Sequence, residues 1–234
     1  MNLLAIDSAS QILSVSVSKG DEIFYTEADE GMKHSELVMG FIDSLMKKAA
    51  LKPDDLNGVL CMGGPGSFTG LRIGYSIAKA LALSLSIPFA PVPTLDCIAC
   101  QRTEDKETAC PALRLAVIQA RKNAYFYAFY RGGERLSSDG DADTGQIADE
   151  IMRYGEPVEL AGPGAALLFD SLPLDLRKNI NLKDGTSKGY AREIIIIAKS
   201  LNIPDNENTA HLFSGPEYIR KTDAELNLDE KAGI

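Results

Sequence analysis

The chain has 234 residues, of which 45% are hydrophobic, and its 24 basic and 33 acidic residues give a formal net charge of −9 at pH 7. This length suits one domain or two closely joined halves, and the apolar fraction excludes wholesale disorder. The negative charge disfavours broad nucleic-acid binding by this chain alone, because it repels a polyanion. The N-terminus has no basic segment and no apolar run is long enough for a bilayer, so we expect a cytoplasmic protein without a signal peptide.

The first part of the chain is predicted to contain three strands and an amphipathic helix. Apolar alternation indicates strands at 3–8, 12–18 and 22–28, with a turn at Lys19-Gly20-Asp21 between the last two. Apolar residues at steps of four predict a helix over 35–50. Those residues are Leu37, Phe41, Leu45 and Ala49.

The most distinctive stretch is residues 63–70, Gly-Gly-Pro-Gly-Ser-Phe-Thr-Gly, between an apolar strand at 59–62 and an apolar helix at 71–85. Its glycines allow positive φ or close approach, and Ser67 or Thr69 can cap the helix. Such a turn aims backbone N–H groups outward at a helix N-terminus, which makes it a candidate anion cradle. The candidate nucleotide or anion contacts are Asp7, Gly64, Gly66, Ser67 and Thr69.

The helix after this turn has a smooth face and a bulky face. The smooth face is Gly70, Gly74, Ala78 and Ala82, and the bulky face is Ile73, Ile77 and Leu81. Small residues let another element approach closely, which increases packing contacts. Two interpretations are open, since the smooth face can pack on the chain's own sheet or preceding helix, or it can meet a partner.

The second half of the chain repeats the order of the first half. Three prolines at 88, 91 and 93 break the pattern before a short helix at 95–101 and a polar crossover at 102–108. We then expect strands at 113–119, 124–131 and 134–137, a helix at 142–154, a strand at 158–161 that ends in a second glycine turn, Gly162-Pro163-Gly164, and a helix at 190–201. This alternation predicts an α/β architecture in two related layers, with no sequence shared between them. We place the subdomains at 1–103 and 104–234, with the extreme C-terminus packing back on the first.

The glycine turn matches none of the standard phosphate-binding or nucleophile motifs. A Walker loop needs a lysine, and none lies between Gly63 and Ile73. A dinucleotide motif needs glycine where Thr69 stands, and a hydrolase elbow needs glycine at both flanks of Ser67, where Pro65 and Thr69 stand. We therefore interpret Ser67 as a cap or turn hydroxyl rather than a nucleophile.

Metal-binding patterns are also missing, so we expect no metal. His34 and His211 are the only histidines and form no HxxxH or HExxH pair. Cys97 and Cys100 have CxxC spacing without a second pair, which favours buried reduced thiols. Asp7 is the best acidic candidate, because it ends a strand where open α/β sheets hold ligands, but an Asx turn into the next residues is equally open.

Together these features resemble the bacterial TsaB (YeaZ) family over most of the chain. Residues 4–9, Leu-Ala-Ile-Asp-Ser-Ala, are similar to the family's opening strand, and residues 64–74, Gly-Pro-Gly-Ser-Phe-Thr-Gly-Leu-Arg-Ile-Gly, to its signature turn and helix. Residues 93–95, 118–121 and 216–220 are similar to weaker family blocks. Gln119 departs from the family, which commonly has aspartate there.

The resemblance implies an actin-like (ASKHA, ribonuclease H-like) α/β fold with two related subdomains. It also implies a part in making N6-threonylcarbamoyladenosine at position 37 of tRNAs that read ANN codons. In that family TsaB is a non-catalytic scaffold that dimerises with and activates the TsaD paralogue, which holds the metal and transfers the group, together with the ATPase TsaE. We therefore expect a homodimer when the chain is alone, tRNA contact mainly through the complex, and no cofactor except ATP or ADP at a subunit interface.

The family pairs its subunits through the first two helices of the N-terminal half. This implies a partner interface at Leu37, Phe41, Leu45, Gly70, Gly74, Ile77, Ala78, Leu81 and Ala82. The alternatives are an enzyme, either an actin-like phosphotransferase or a peptidase-type member of the same superfamily, and a plain homodimeric interaction protein. Direct tRNA contact would need a local basic patch, such as one at Arg220 and Lys221.

Overall fold

The computed structural model describes residues 1–31, 33–101, 113–183, 188–203 and 215–216. The first sheet, sheet A, consists of β1 (Leu3–Asp7), β2 (Leu13–Lys19), β3 (Glu22–Ala28), β4 (Gly58–Gly64) and β5 (Phe89–Pro93). Its strand order is β3-β2-β1-β4-β5. The first three strands are antiparallel, whereas β4 and β5 run parallel to β1.

The second sheet, sheet B, repeats this topology. It consists of β6 (Leu113–Arg121), β7 (Ala124–Arg131), β8 (Glu134–Arg135), β9 (Gly140–Asp143), β10 (Val158–Ala161) and β11 (Ile180–Leu182). The order is β11-β10-β6-β7-β8, with β9 also paired to β7. An antiparallel β6–β7 pair is again followed by strands parallel to the first strand of the sheet. The doubled sheet is the actin-like, ribonuclease H-like fold that the resemblance implies.

Helices cover both outer faces and fill the space between the sheets. They are α1 (His34–Lys48), α2 (Phe68–Leu85), α3 (Thr94–Cys100), α4 (Thr144–Tyr154), α5 (Ala165–Ser171), α6 (Leu174–Arg177) and α7 (Ala191–Ser200). Helices α1 and α2 pack on the outer face of sheet A, and α4 and α5 on that of sheet B. Helices α3 and α7 lie between the sheets in one apolar core that includes Leu60 from sheet A and Ala128 from sheet B.

The glycine turn also occurs in both halves. Gly64-Pro65-Gly66 follows β4, Gly162-Pro163-Gly164 follows β10, and the first glycine of each turn has positive φ, 116° and 109°. The last glycine of each turn packs on the hairpin at the end of the first strand. A Cβ there would lie 3.1 Å from Ala9 Cβ in one half and 2.8 Å from the Gln119 nitrogen in the other. The order predicted for both halves, a strand followed by a glycine turn, is therefore confirmed at both positions.

Several local elements differ from the sequence-based prediction. The proline-rich stretch forms β5, which lies at the edge of sheet A, where a missing N–H removes no ladder hydrogen bond. Helix α4 begins at Thr144 rather than at residue 142. The preceding residues pair with β7, and the Asp143 side chain accepts a hydrogen bond from Gln146 N at 2.9 Å.

The subdomain boundary at 103/104 and the extreme C-terminus lie outside the described residues. Helix α7, from the second half of the chain, contacts β1 and β2 of sheet A.

Candidate functional site

The glycine turn is closed by contacts within the chain. The Ser67 side chain caps α2 by accepting a hydrogen bond from Gly70 N at 3.2 Å, which confirms the capping interpretation. The Ser67 backbone N–H donates to the carbonyl oxygen of Ala9 at 3.0 Å. This donor of the predicted anion cradle therefore already has an acceptor inside the protein.

The smooth face of α2 packs inside the protein. A Cβ on Gly70 would overlap the Ser8 carbonyl oxygen, and one on Gly74 would lie 2.8 Å from Ser8 Oγ. Ala78 and Ala82 are 0% and 1% exposed. These four residues offer no surface to a partner, which corrects their assignment to a partner interface. The small size of Gly70 and Gly74 is required because α2 begins directly against Ser8, the residue after β1.

Ser8 also fixes the beginning of α1. Its hydroxyl donates to the Gly70 carbonyl oxygen at 2.7 Å, and its carbonyl oxygen lies 3.1 Å from His34 Nδ1 at the first residue of α1. The ends of both outer helices are thus held by one residue after β1. His34 belongs to this structural junction.

The outward surfaces of α1 and α2 form a shallow groove. Its volume is about 450 Å³, and the residues that line this α1–α2 groove are Ser35, Phe68, Thr69, Arg72, Ile73, Ser76 and Ile77. Met39 and Leu83 lie farther along the same helix faces and are 49% and 62% exposed. Apolar surface of this kind commonly marks a protein contact site.

The predicted interface residues divide into buried and accessible groups. Leu45 is buried together with the smooth face of α2, because it points from α1 into the core of the outer layer. Four others are half-buried and remain partly accessible beside the groove or along its helices. These four are Leu37, Phe41, Ile77 and Leu81. The predicted interface did not include the exposed residues Phe68, Arg72 and Ser76, although their i, i+4 spacing predicts a common helix face.

Asp7 is fully buried, and both of its carboxylate oxygens accept hydrogen bonds from the chain. Oδ1 accepts from the backbone N–H groups of Ala9 and Ser10, both at 3.1 Å, which is the Asx turn. Oδ2 accepts from Ser10 Oγ at 2.7 Å and from Tyr190 N at 2.9 Å. Burial raises the pKa of Asp7, whereas the hydrogen bonds from Ser10, Tyr190 and Ala9 oppose that shift.

The arrangement around Asp7 and Ser67 does not fit a nucleotide phosphate or its metal ion. The Asp7 carboxylate already accepts four hydrogen bonds, and one backbone donor of the turn, the Ser67 N–H, is already bonded to the Ala9 carbonyl oxygen. A phosphate would have to displace these partners. We therefore assign no chemical step to Asp7, Gly64, Gly66, Ser67 or Thr69.

The hydrogen bond to Tyr190 is one of three that fasten α7 to sheet A. Three consecutive backbone N–H groups, at residues 189–191, donate to Glu27 Oε2 at 2.9 Å, Asp7 Oδ2 at 2.9 Å and Ser14 Oγ at 3.0 Å. The acceptors come from β3, β1 and β2. Side chains from three strands thereby satisfy donors at the start of a helix that has no local side-chain cap.

Glu193 lies in the first turn of α7, near Asp7, and its burial should make the stability of the protein depend on pH. Burial raises the pKa of Glu193, and the nearby Asp7 adds to that shift while Arg192 and Lys183 oppose it. The folded protein then binds this proton more tightly than the unfolded chain, so Glu193 lowers stability as pH rises above its ordinary pKa. We expect Glu193→Gln to raise the free energy of unfolding near pH 7 and to have a smaller effect near pH 4, measured by urea titration.

The control for this pH test is Glu36→Gln, which removes an exposed acid from the first turn of α1. That variant should show no stabilisation near pH 7. A Glu193→Gln protein that is less stable than the wild type at that pH would contradict the prediction.

The CxxC pair lies at the end of α3. Cys97 is fully buried in the core between the sheets, and Cys100 is half-buried. Burial raises the pKa of the Cys97 thiol, so it stays protonated and packs as a small apolar side chain. Within the part of the chain that the structure describes, no three His, Cys, Asp or Glu residues are grouped to hold a metal ion. Cys110 and His211 lie outside it.

Comparison with known proteins identifies relatives over the whole chain. A family model described as TsaD, tRNA N6-adenosine threonylcarbamoyltransferase, matches residues 29–166. The tRNA threonylcarbamoyladenosine biosynthesis protein TsaB of Escherichia coli is 30% identical over 234 residues, which cover 99% of this chain and 100% of that protein. TsaB of Bacillus subtilis is 36% identical over 100 residues, which cover 42% of this chain and 44% of that protein.

A solved structure shows the same fold. It is the crystal structure of an uncharacterized protein with similarity to peptidase YEAZ from Pseudomonas aeruginosa, which is 20% identical with a TM-score of 0.79 over 94% of this chain and 99% of that chain. No helix in the described ranges has both the length and the apolar character needed to cross a membrane. From its full-length relative and the family model, the chain belongs to the TsaB (YeaZ) family of tRNA threonylcarbamoyladenosine biosynthesis proteins.

Proposed function

We propose that this chain is a non-catalytic subunit of the complex that transfers a threonylcarbamoyl group to N6 of adenosine 37 in tRNAs reading ANN codons. In this proposal it binds the TsaD paralogue and activates it. The observation that carries the proposal is the outward surface of α1 and α2, where apolar side chains of α2 line the groove and Met39 of α1 is 49% exposed. The junction at Ser8 holds the beginnings of both helices in place. A rigid apolar surface favours binding, because little conformational entropy is lost on association.

The non-catalytic role is supported by how the candidate polar groups are used. Asp7 fastens α7 and the first turn, and Ser67 caps α2 while its N–H is bonded to Ala9. These groups therefore stabilise the folded structure.

The proposed complex also contains the ATPase TsaE, with ATP or ADP at a subunit interface. It lies in the cytoplasm and contacts tRNA mainly through its other subunits. Alone, the chain forms a homodimer through the same groove.

The direct test is reconstitution with the TsaD subunit from the same genome. We expect the two proteins to co-elute in size-exclusion chromatography and TsaD to modify tRNA faster when this chain is present. Separate elution, or equal modification by TsaD alone, would overturn the proposal. Tight binding of ATP with magnesium to this chain alone would favour the phosphotransferase alternative.

A charge placed in the groove should weaken binding to TsaD much more than it destabilises the folded chain. Ile77→Asp places a charge in the groove on a half-buried position of α2, so we expect affinity for TsaD to fall on the order of 100-fold. The side chain also packs against the core of the outer layer, so the thermal midpoint should fall by a few degrees while the protein stays folded. Isothermal titration calorimetry and circular dichroism measure the two effects.

A matched control for Ile77→Asp is Leu174→Asp, since Leu174 is 74% exposed on α6 of the other half. This variant should bind TsaD like the wild type. Equal losses from both substitutions would show that the groove is not the contact surface.

A further inference from the structure

We propose that α3 and α7 lock the two sheets into one body, so that the two halves of the chain do not hinge against each other. Each of these helices is fastened to the sheet of the opposite half. Helix α3 follows sheet A in the chain, but residues of the second half hold both of its ends, whereas α7 follows sheet B and is fastened to sheet A. The inference does not depend on the proposed function, because it concerns only the motion of the two halves.

The beginning of α3 is held by hydrogen bonds to one carboxylate oxygen. Asp96 Oδ1 accepts from the Tyr130 hydroxyl of β7 at 2.7 Å and from two guanidinium nitrogens of Arg135 of β8 at 2.9 Å and 2.6 Å. The same guanidinium also bonds to Asp139, and its Cζ lies 5.2 Å from the centroid of the Tyr130 ring. Hydrogen bonds between charged partners are the stronger class, so this group is a specific connection between the first half and sheet B.

The end of α3 is held by two cations of the second half. Arg114 of β6 donates to the carbonyl oxygen of Ala99, and Lys183, which follows β11, donates to that of Gln101. Carbonyl groups in the last turn of a helix have no partner within the helix, and the helix dipole favours positive charge there. Arg114 is 7% exposed, so solvent screens its contact little.

Helix α7 makes the reciprocal attachment to sheet A. Backbone N–H groups at its beginning donate to side chains of β1, β2 and β3, and at its end Lys199 Nζ donates to the Gly20 carbonyl oxygen between β2 and β3. It contacts all five strands of that sheet. Helices α3 and α7 also contact each other and contribute buried apolar residues to the same inner core.

The chain leaves no slack by which the sheets could separate at α3. Strand β5 ends at Pro93 and α3 begins at Thr94, so α3 cannot move away with sheet B without pulling on sheet A. The glycine turn of the second half also lies against α3, since a Cβ on Gly162 would be 3.0 Å from Ile98 Cγ2. Two parts of a chain are expected to move relative to each other unless their interface is large and apolar, as the inner core is.

The lock has a consequence for the enzyme alternatives. Kinases close two parts of the protein around their ligand by hinge motion, which shuts water out of the reaction. A chain whose halves are fastened to each other cannot close in this way. The lock therefore disfavours the phosphotransferase alternative on mechanical grounds.

Hydrogen exchange at increasing urea concentration tests the lock, because it reports the opening of each segment separately. In the wild type, the most protected amides of β1 and β4 and those of β6 and β7 should have protection factors within about threefold of each other, since the sheets open together. Asp96→Ala removes the contacts at the beginning of α3. We expect the sheet B amides to lose protection about 10- to 100-fold relative to those of sheet A, because bonds to a charged group are lost.

The matched control is Asp139→Ala, which removes the other acceptor of Arg135 but cuts a contact within the second half. It should lower protection in both sheets equally or not at all. Tyr130→Phe deletes only the hydroxyl that donates to Asp96, and this milder variant should separate the sheets by about three- to tenfold. The inference is overturned if the wild-type sheets already differ by more than about tenfold, if Asp96→Ala and Tyr130→Phe leave them equally protected, or if Asp139→Ala separates them as much.

Discussion

Replacing Gly70 with alanine is expected to destabilise the protein by about 3 kcal/mol or more, because the added methyl group has no space. Its Cβ would overlap the Ser8 carbonyl oxygen and lie 2.9 Å from the Ser8 carbonyl carbon and 3.0 Å from Ala9 Cα. All three are backbone atoms, so no side-chain rotation relieves the overlap. Helix α2 must then move away from β1, and we expect affinity for TsaD to fall as well. Urea unfolding measures the first effect and calorimetry the second.

The same substitution at Gly40 is the matched control. Gly40 is exposed within α1 and a Cβ there has nothing within 4 Å. Alanine is a better helix former than glycine, so Gly40→Ala should stabilise the protein by about 0.5–1 kcal/mol. Opposite signs for two Gly→Ala changes in neighbouring helices would establish close contact with β1 as the reason for Gly70. A neutral Gly70→Ala variant would refute that reason.

Asp7→Asn is expected to cost about 3 kcal/mol, because an amide cannot accept hydrogen bonds at both of its ends. If the amide oxygen keeps the donors of Ala9 and Ser10, the NH₂ group meets the N–H of Tyr190, which is also a donor. The reverse orientation leaves the other donors without an acceptor. Either orientation weakens the attachment of α7, so hydrogen exchange at residues 190–191 should become faster.

Asp43→Asn serves as the comparison, since Asp43 is exposed and pairs with Lys47 at 2.7 Å. Exposed pairs of this kind contribute little, so this variant should change stability by less than about 0.5 kcal/mol. If Asp7→Asn is equally mild and α7 stays protected from exchange, the carboxylate does not fasten the helix.

Local sequence signals predicted the elements near the glycine turn well. The predicted helix at 71–85 corresponds to α2 at Phe68–Leu85, and Ser67 is its cap, because capping and helix periodicity depend on residues within one or two turns. The direction of the smooth face could not be deduced in this way. It depends on Ser8, which lies 62 residues from Gly70 in the chain. Small residues in a sequence indicate that another element can pack closely, but they do not show which element it is.

The role of Asp7 shows the same limit at longer range. The Asx turn with Ala9 and Ser10 is local, and it was one of the two interpretations of this residue. Its bond to Tyr190 spans 183 residues, and no pattern in either segment indicates the other. The accessible part of the groove was partly predicted, since Ile77 was named from the family resemblance. The i, i+4 spacing of Phe68 and Arg72 predicts a common helix face, but only the fold shows that this face is exposed beside α1.

The position of α7 between the two sheets has a consequence for synthesis of the chain on the ribosome. Sheet A is complete at Pro93, but the inner core that covers it needs α7, which begins at Ala191, about 100 residues later. At typical rates of translation this delay is roughly 5–20 s. During that interval the nascent first half exposes the apolar face that includes Leu3, Leu60 and Val92. Covering of the inner face of the first sheet is therefore a late event, and the interval before it is when chaperones would protect the chain from aggregation.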